Sequence, residues 1–154
     1  MRGYLNKPEQ TAATIRDGWL WTGDIGRLDV DGFVHITGRA KDMIIVGGEN
    51  VFPFEIESVL LDHPAVAEAA VIGMTDPVRG ELPVAFVILK PDAPPVTGTD
   101  LRNFCRTRLA GYKVPRDVHL SQELPRGPTG KILKRALKAP GQQPRHPEAA
   151  PPGR

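Results

Sequence analysis

The chain has 154 residues, 40% of them hydrophobic, a net charge of +2 and a single cysteine, which leaves room for one domain of ordinary size with a modest core. One thiol excludes an internal disulfide and fits a reducing compartment, and residues 1–7 have no apolar core of the kind a signal peptide needs. No apolar run approaches the ~18 residues of a membrane span, so the chain reads as cytoplasmic, without a transmembrane segment.

In chain order, residues 9–15 read as a short helix. Trp19 and Trp21 flank Leu20 ahead of Thr22-Gly23-Asp24. Residues 25–29 and 33–37 read as two strands turned through Asp31-Gly32, a strong hairpin signal. Such a hairpin is marginal by itself and needs a sheet to lean on. From Lys41 onward the pattern is that of a compact α+β unit. Residues 43–46 form a short apolar strand stopped by Gly47-Gly48. Pro53 suits the first position of a helix, with Ile56, Val59 and Leu60 as its apolar face and Pro64 as its end. Residues 66–73 and 84–89 are strands rich in β-branched residues, with a polar connection over 75–82. Thr99 or Asp100 is expected to cap a helix over 101–109. Within it Leu101, Phe104, Cys105 and Leu109 recur at helical spacing, which makes Cys105 a buried structural thiol. Residues 118–120 read as a last strand and 132–137 as a terminal helix. From Ala139 the chain turns to Pro, Gly, Gln and Arg with nothing to bury, and 139–154 is expected to be disordered. Seven of the 20 basic residues but one of the 18 acids fall in 125–154. Without interleaved aromatics this basic end is not read as a nucleic-acid surface.

Several short blocks carry chemistry. Asp24 ends Trp21-Thr22-Gly23-Asp24, and an ionised carboxylate has acceptor oxygens for both hydroxyls of a ribose. From the residues alone it reads equally as a turn cap. Arg39 follows a strand and a glycine, with a planar fork that suits phosphate or ribose oxygens. Gly47-Gly48-Glu49-Asn50 is a turn where a ligand can approach the backbone closely. Arg126-Gly127-Pro128-Thr129-Gly130 is a mobile-looking loop leading to Lys131. A lysine there can be brought onto charge that develops on a phosphate. Gly130-Lys131 is not a P-loop, which needs glycine at 125 and Ser or Thr at 132, where Pro125 and Ile132 stand. His35, His63, His119 and His146 have no metal-ligand spacing with one another or with Cys105, and no metal site is expected.

These blocks, in this order, resemble the C-terminal part of an AMP-binding, adenylate-forming acyl-CoA synthetase (a fatty-acid–CoA ligase), over nearly everything from Gly3 to Leu137. The resemblance implies an α+β fold: a small C-terminal domain of short sheets and flanking helices, preceded by a β-hairpin remnant of a large N-terminal domain. It implies residues 1–40 as the end of that AMP-binding domain, 41–138 as the C-terminal domain and 139–154 as a Pro-rich tail. It assigns Lys131 to catalysis of adenylation, and Asp24, Arg39 and Lys131 to the nucleotide. Lys41 falls at the hinge, and Gly47, Gly48 and Glu49 border the passage for the pantetheine arm of coenzyme A. ATP and Mg would serve the parent enzyme, with coenzyme A as co-substrate and a small carboxylic acid as substrate. None is expected to bind tightly to this chain alone. The Ser/Thr/Gly-rich phosphate loop and the acyl pocket of such enzymes are absent from the sequence. The chain is therefore expected to be inactive alone, as a fragment whose Met1 falls in mid-domain. The alternative is a non-catalytic truncated product or a separately encoded half that acts only by docking to an N-terminal AMP-binding partner. The wording Gly-Gly-Glu-Asn-Val-Phe-Pro-Phe-Glu-Ile-Glu at 47–57 is similar to acyl- and aryl-CoA ligases, and it departs from the more basic segment of peptide-synthetase adenylation domains.

Overall fold

A computed structural model describes residues 1–138; the tail expected at 139–154 lies outside them. The chain divides into two compact units, one ending at Asp42 and the next beginning at Met43.

The first unit is made of small local pieces. Helix α1 (Pro8–Thr14) opens with proline at its first position, where a missing N–H costs nothing. Strands β1 (Ile15–Arg16) and β2 (Trp19–Leu20) pair through Asp17-Gly18, whose positive φ values of 52° and 80° suit a tight hairpin turn. Strands β3 (Asp24–Leu28) and β4 (Val34–Arg39) form the hairpin expected at Asp31-Gly32. Its loop is closed by Asp29, whose Oδ1 accepts from the amides of Asp31 at 3.0 Å and Phe33 at 2.9 Å. A 3-10 turn, Ala40–Asp42, ends the unit. No side chain in this unit is fully buried, and Trp19, Trp21, Leu28 and Phe33 are all exposed.

The second unit is a five-stranded sheet with apolar residues on both faces. Its centre is the long hairpin of β7 (Val66–Asp76) and β8 (Gly80–Leu89). The polar connection expected over 75–82 is instead mostly strand: Met74, Thr75 and Asp76 pair with Leu82, Glu81 and Gly80. Cross-strand backbone bonding overrides local polarity there, because the side chains at this end reach solvent. The other edge of β8 carries β5 (Ile44–Val46) at its start and β9 (Asp117–Leu120), in parallel, further along. β6 (Glu49–Val51) pairs with β5, so Glu49 and Asn50 are strand residues, not turn.

Alternation along β7 and β8 divides the core. On one face Val71, Ala85 and Val87 pack with Ile56 and Leu60 of helix α2 (Pro53–Leu61) and with Leu101 and Cys105 of helix α3 (Gly98–Arg106). On the other, Ala70, Ile72, Val84 and Phe86 pack with Leu124, Ile132 and Leu137. Cys105 is buried as expected. The cap of α3 is Thr97, ahead of the expected Thr99 or Asp100. Its hydroxyl accepts from the Asp100 amide at 3.2 Å, and the Asp100 carboxylate accepts from the Thr97 amide at 2.9 Å, a reciprocal capping box. Helix α4 spans Lys134–Leu137 only, because Ile132 is taken up in a β-bridge with Arg126. Among the described residues no helix is long and apolar enough to cross a membrane.

Candidate functional site

In the first unit the β3–β4 register sets Asp24 opposite Arg39, and Arg39 Nε donates to Asp24 Oδ1 at 3.0 Å. The Asp24 amide donates to Thr22 Oγ1 at 3.0 Å, and the Ala40 amide to the Gly23 carbonyl at 2.9 Å. Both side chains keep a solvent-facing part, 30% for Asp24 and 53% for Arg39. Two of the three expected nucleotide residues are thus brought together, as a carboxylate with acceptor capacity left beside a guanidinium with donors left. That pairing suits a vicinal diol or a phosphate ester. Lys41 is exposed in the 3-10 turn, two residues before the second unit begins.

In the second unit Gly47 and Gly48 form a two-residue turn between β5 and β6, with φ values of 58° and 92°. Both positive angles define a type I′ turn, which a side chain would strain. A methyl at either residue would meet nothing within 4 Å, so the turn tip is open to a ligand. The Gly47 amide donates to the Arg79 carbonyl at 2.8 Å, tying the turn to the β7–β8 loop.

The loop before Lys131, expected to be mobile, is a closed hairpin. The Gly127 amide donates to the Lys131 carbonyl and the Gly130 amide to the Gly127 carbonyl, both at 2.9 Å; the Leu133 amide donates to the Pro125 carbonyl at 2.7 Å. Gly130, at φ 77°, takes the left-handed position that ends a three-residue hairpin loop. The reason is Pro128, which presets the turn and leaves Gly130 to close it. Lys131 is the first residue after the loop and is exposed. Its neighbours in sequence are committed: Arg126 pairs with Glu68, and Lys134 with Glu57. The Lys131 ammonium has no ion pair among the described residues.

One group was not legible in the sequence. A cleft of about 560 Å³ in the second unit is lined by Arg79, Arg102, Arg106 and Arg116, with Tyr112 and Asp76. Its arginines come from the β7–β8 turn, helix α3 and the approach to β9, so they are scattered in sequence. The spacing of Arg102 and Arg106, one helical turn apart, was the only signal. Arg116 Nη1 donates to Asp76 Oδ2 at 2.9 Å. The backbone amides of Arg79 and Val78, followed by the Arg116 charge, hold the Asp76 carboxyl below the ordinary aspartate range. One acid against four guanidiniums leaves a net positive cleft suited to phosphate groups. Nearby in sequence, Lys113 Nζ donates to both oxygens of Glu55 at 2.8 Å, which raises its pKa above the ordinary lysine value. Among the described residues, no three His, Cys, Asp or Glu side chains gather as a metal-ligand set.

Residues 55–131 match the model of the AMP-binding enzyme C-terminal domain. The chain is 53% identical over 137 residues to the 2-succinylbenzoate–CoA ligase of Geobacillus kaustophilus, covering 89% of this chain and 28% of that enzyme. It is 51% identical over 137 residues to the long-chain-fatty-acid–CoA ligase of Bacillus subtilis, covering 89% of this chain and 24% of that one. Its structure is similar to that of the o-succinylbenzoate CoA synthetase of Bacillus subtilis in complex with its acyl-adenylate intermediate. The TM-score is 0.83 at 44% identity, over 90% of this chain and 28% of the other. The chain thus spans about a quarter of the length of the enzymes it resembles.

Proposed function

This chain belongs to the AMP-binding enzyme C-terminal domain family, and on that premise we propose that it supplies the C-terminal catalytic part of an ATP-dependent acid–CoA ligase. Such a ligase joins a carboxylic acid to ATP, giving acyl-adenylate and pyrophosphate, then transfers the acyl group to the thiol of coenzyme A. The observation that carries the proposal is Lys131, an exposed ammonium with no ion pair among the described residues, at the end of a hydrogen-bonded hairpin and between two paired cations. Attack of the carboxylate on the α-phosphate builds negative charge, and a positioned ammonium stabilises it. Asp24 receives the ribose hydroxyls and Arg39 the adjoining oxygens. Lys41 is the hinge between the half-reactions, supported by its place beside the boundary of the two units. The open Gly47-Gly48 turn and Glu49 border the path of the pantetheine arm, and the arginine cleft takes the phosphates of coenzyme A. The phosphate loop, the acyl pocket and therefore the choice of acid belong to polypeptide outside these residues.

The second reading, a half that acts by docking to an AMP-binding domain, is favoured by the exposed Trp19, Trp21, Leu28 and Phe33 of the first unit. One assay addresses both. The chain is mixed with, or joined to, the AMP-binding domain of the Geobacillus ligase, and acyl-CoA formation is measured. Activity is expected only with both parts present. ATP–pyrophosphate exchange by the chain alone would overturn the division of labour, and docking without any gain in acyl-CoA formation would leave the non-catalytic reading in its place.

A further inference from the structure

Lys131 stands in a segment tied down on both sides, and the ties come from two carboxylates outside the segment. Arg126 opens the hairpin. Its Nη1 donates to the Gly130 carbonyl at 2.9 Å, and its Nη2 pairs with Glu68 of β7. One guanidinium therefore holds both the sheet and the peptide immediately before Lys131. Glu68 lies on the same face of β7 as Ala70 and Ile72, where Leu124, Ile132 and Leu137 pack. On the far side of Lys131, Lys134 opens helix α4, and its Nζ lies 2.6 Å from Glu57 Oε1. The same oxygen accepts from the Val71 amide of β7 at 2.7 Å, so Glu57 is held to the sheet independently of Lys134. Glu57 is well shielded, with 14% of its side chain exposed, whereas Arg126 and Glu68 are 43% and 37% exposed.

We propose that Glu68 and Glu57 are positioning residues for Lys131: they hold the cations on either side of it, so that its ammonium alone in the hairpin is left to meet developing charge. This rests on the adenylation role proposed for Lys131. Two features distinguish the arrangement from ordinary surface pairing. Arg126 bonds the hairpin's own carbonyl as well as its acid, and the Glu57 carboxylate is shared with a backbone amide. Without the two acids, Arg126 and Lys134 would remain as free cations competing for the same anionic partner, and the hairpin would lose its links to the sheet. A half-exposed pair contributes little to global stability, so loss of the Glu68 tie acts locally.

The test uses the chain itself and then the joined ligase. In Glu68→Gln, amide hydrogen exchange at Gly127, Gly130 and Leu133 should accelerate by roughly fivefold or more, while Val71 and Val87 stay within about twofold. Lys134→Met opens the other tie without touching the Glu57–Val71 bond and should act the same way on Leu133. Unchanged hairpin exchange in both variants overturns the proposal, whatever the role of Lys131. In the joined ligase, Glu68→Gln should lower kcat for adenylation about tenfold with KM for ATP within twofold, and leave thioester formation from preformed acyl-adenylate unchanged. Equal damage to both half-reactions overturns the proposal. Full adenylation in Lys131→Ala would instead remove the premise about Lys131, with the exchange result still deciding whether the acids hold the hairpin.

Discussion

The two units use the same local devices to different ends. Both contain hairpins with three-residue loops closed by a left-handed glycine, Gly32 in one and Gly130 in the other. The β3–β4 hairpin carries Asp24 and Arg39 on a ladder with no fully buried side chain in its unit. The Lys131 hairpin is backed by Leu124 and Ile132, packed on one face of a sheet whose other face holds α2 and α3. Turn chemistry and register thus suffice to pair two candidate site side chains. They do not supply stability, which comes from apolar area removed from water. The first unit displays its paired side chains without a core of its own; the second has one.

The largest expected contrast is in hydrogen exchange. Amides of β3 and β4 should exchange orders of magnitude faster than those of β7 and β8, because local opening of the first unit exposes no core. Similarly slow amides in both units would mean that the first has found a cover, such as a second copy of the chain. Side-chain truncation sharpens the same contrast. Leu60→Ala, at a position with no exposed surface, should cost about 2–5 kcal/mol in denaturant unfolding. Phe33→Ala, at an exposed position, should stay within about 0.5 kcal/mol.

Much of the second unit was legible because its apolar spacing is regular. Ile56 and Leu60, Leu101 and Cys105, and the β-branched runs of β7 and β8 all fell where the core lies. The α+β class followed from them. What was misread shares one cause: hydrogen bonds outweighing local composition. The polar end of the β7–β8 hairpin is strand because the ladder continues through Thr75 and Glu81. The cap of α3 moved to Thr97 because Thr97 and Asp100 stand three apart and satisfy each other's amides. The Gly/Pro loop before Lys131 is closed by backbone bonds that its composition does not reveal. At the site, Asp24 and Arg39 were named from their motifs, but their direct contact depends on register. The arginine cleft was missed because only folding gathers Arg79, Arg102, Arg106 and Arg116.

A smaller effect reads the second unit's core through pH. Burial pushes the Cys105 thiol up to about 11 from an ordinary 9.0. The folded chain therefore keeps this proton where the unfolded chain loses it. Stability from the thiol is complete below pH 9 and is lost as pH rises towards 11. The loss should approach roughly 3 kcal/mol, and Cys105→Ala should remove that slope in alkaline unfolding curves. Smaller again, Thr97→Ala should cost about 1 kcal/mol by breaking the capping box of α3, seen as a shifted denaturation midpoint. A cost several times larger would mean that α3 depends on its cap more than on Leu101 and Cys105.

The two half-reactions of the joined ligase, measured separately for Lys131→Ala, test the assignment of chemistry to the second unit most directly. Adenylation should fall by about 10²–10³, the cost of losing one positioned electrostatic donor. Thioester formation from preformed acyl-adenylate should stay within about twofold, since the hinge motion proposed at Lys41 carries Lys131 away from the nucleotide before AMP leaves. Adenylation at the unsubstituted rate, or equal loss in both steps, would contradict the account.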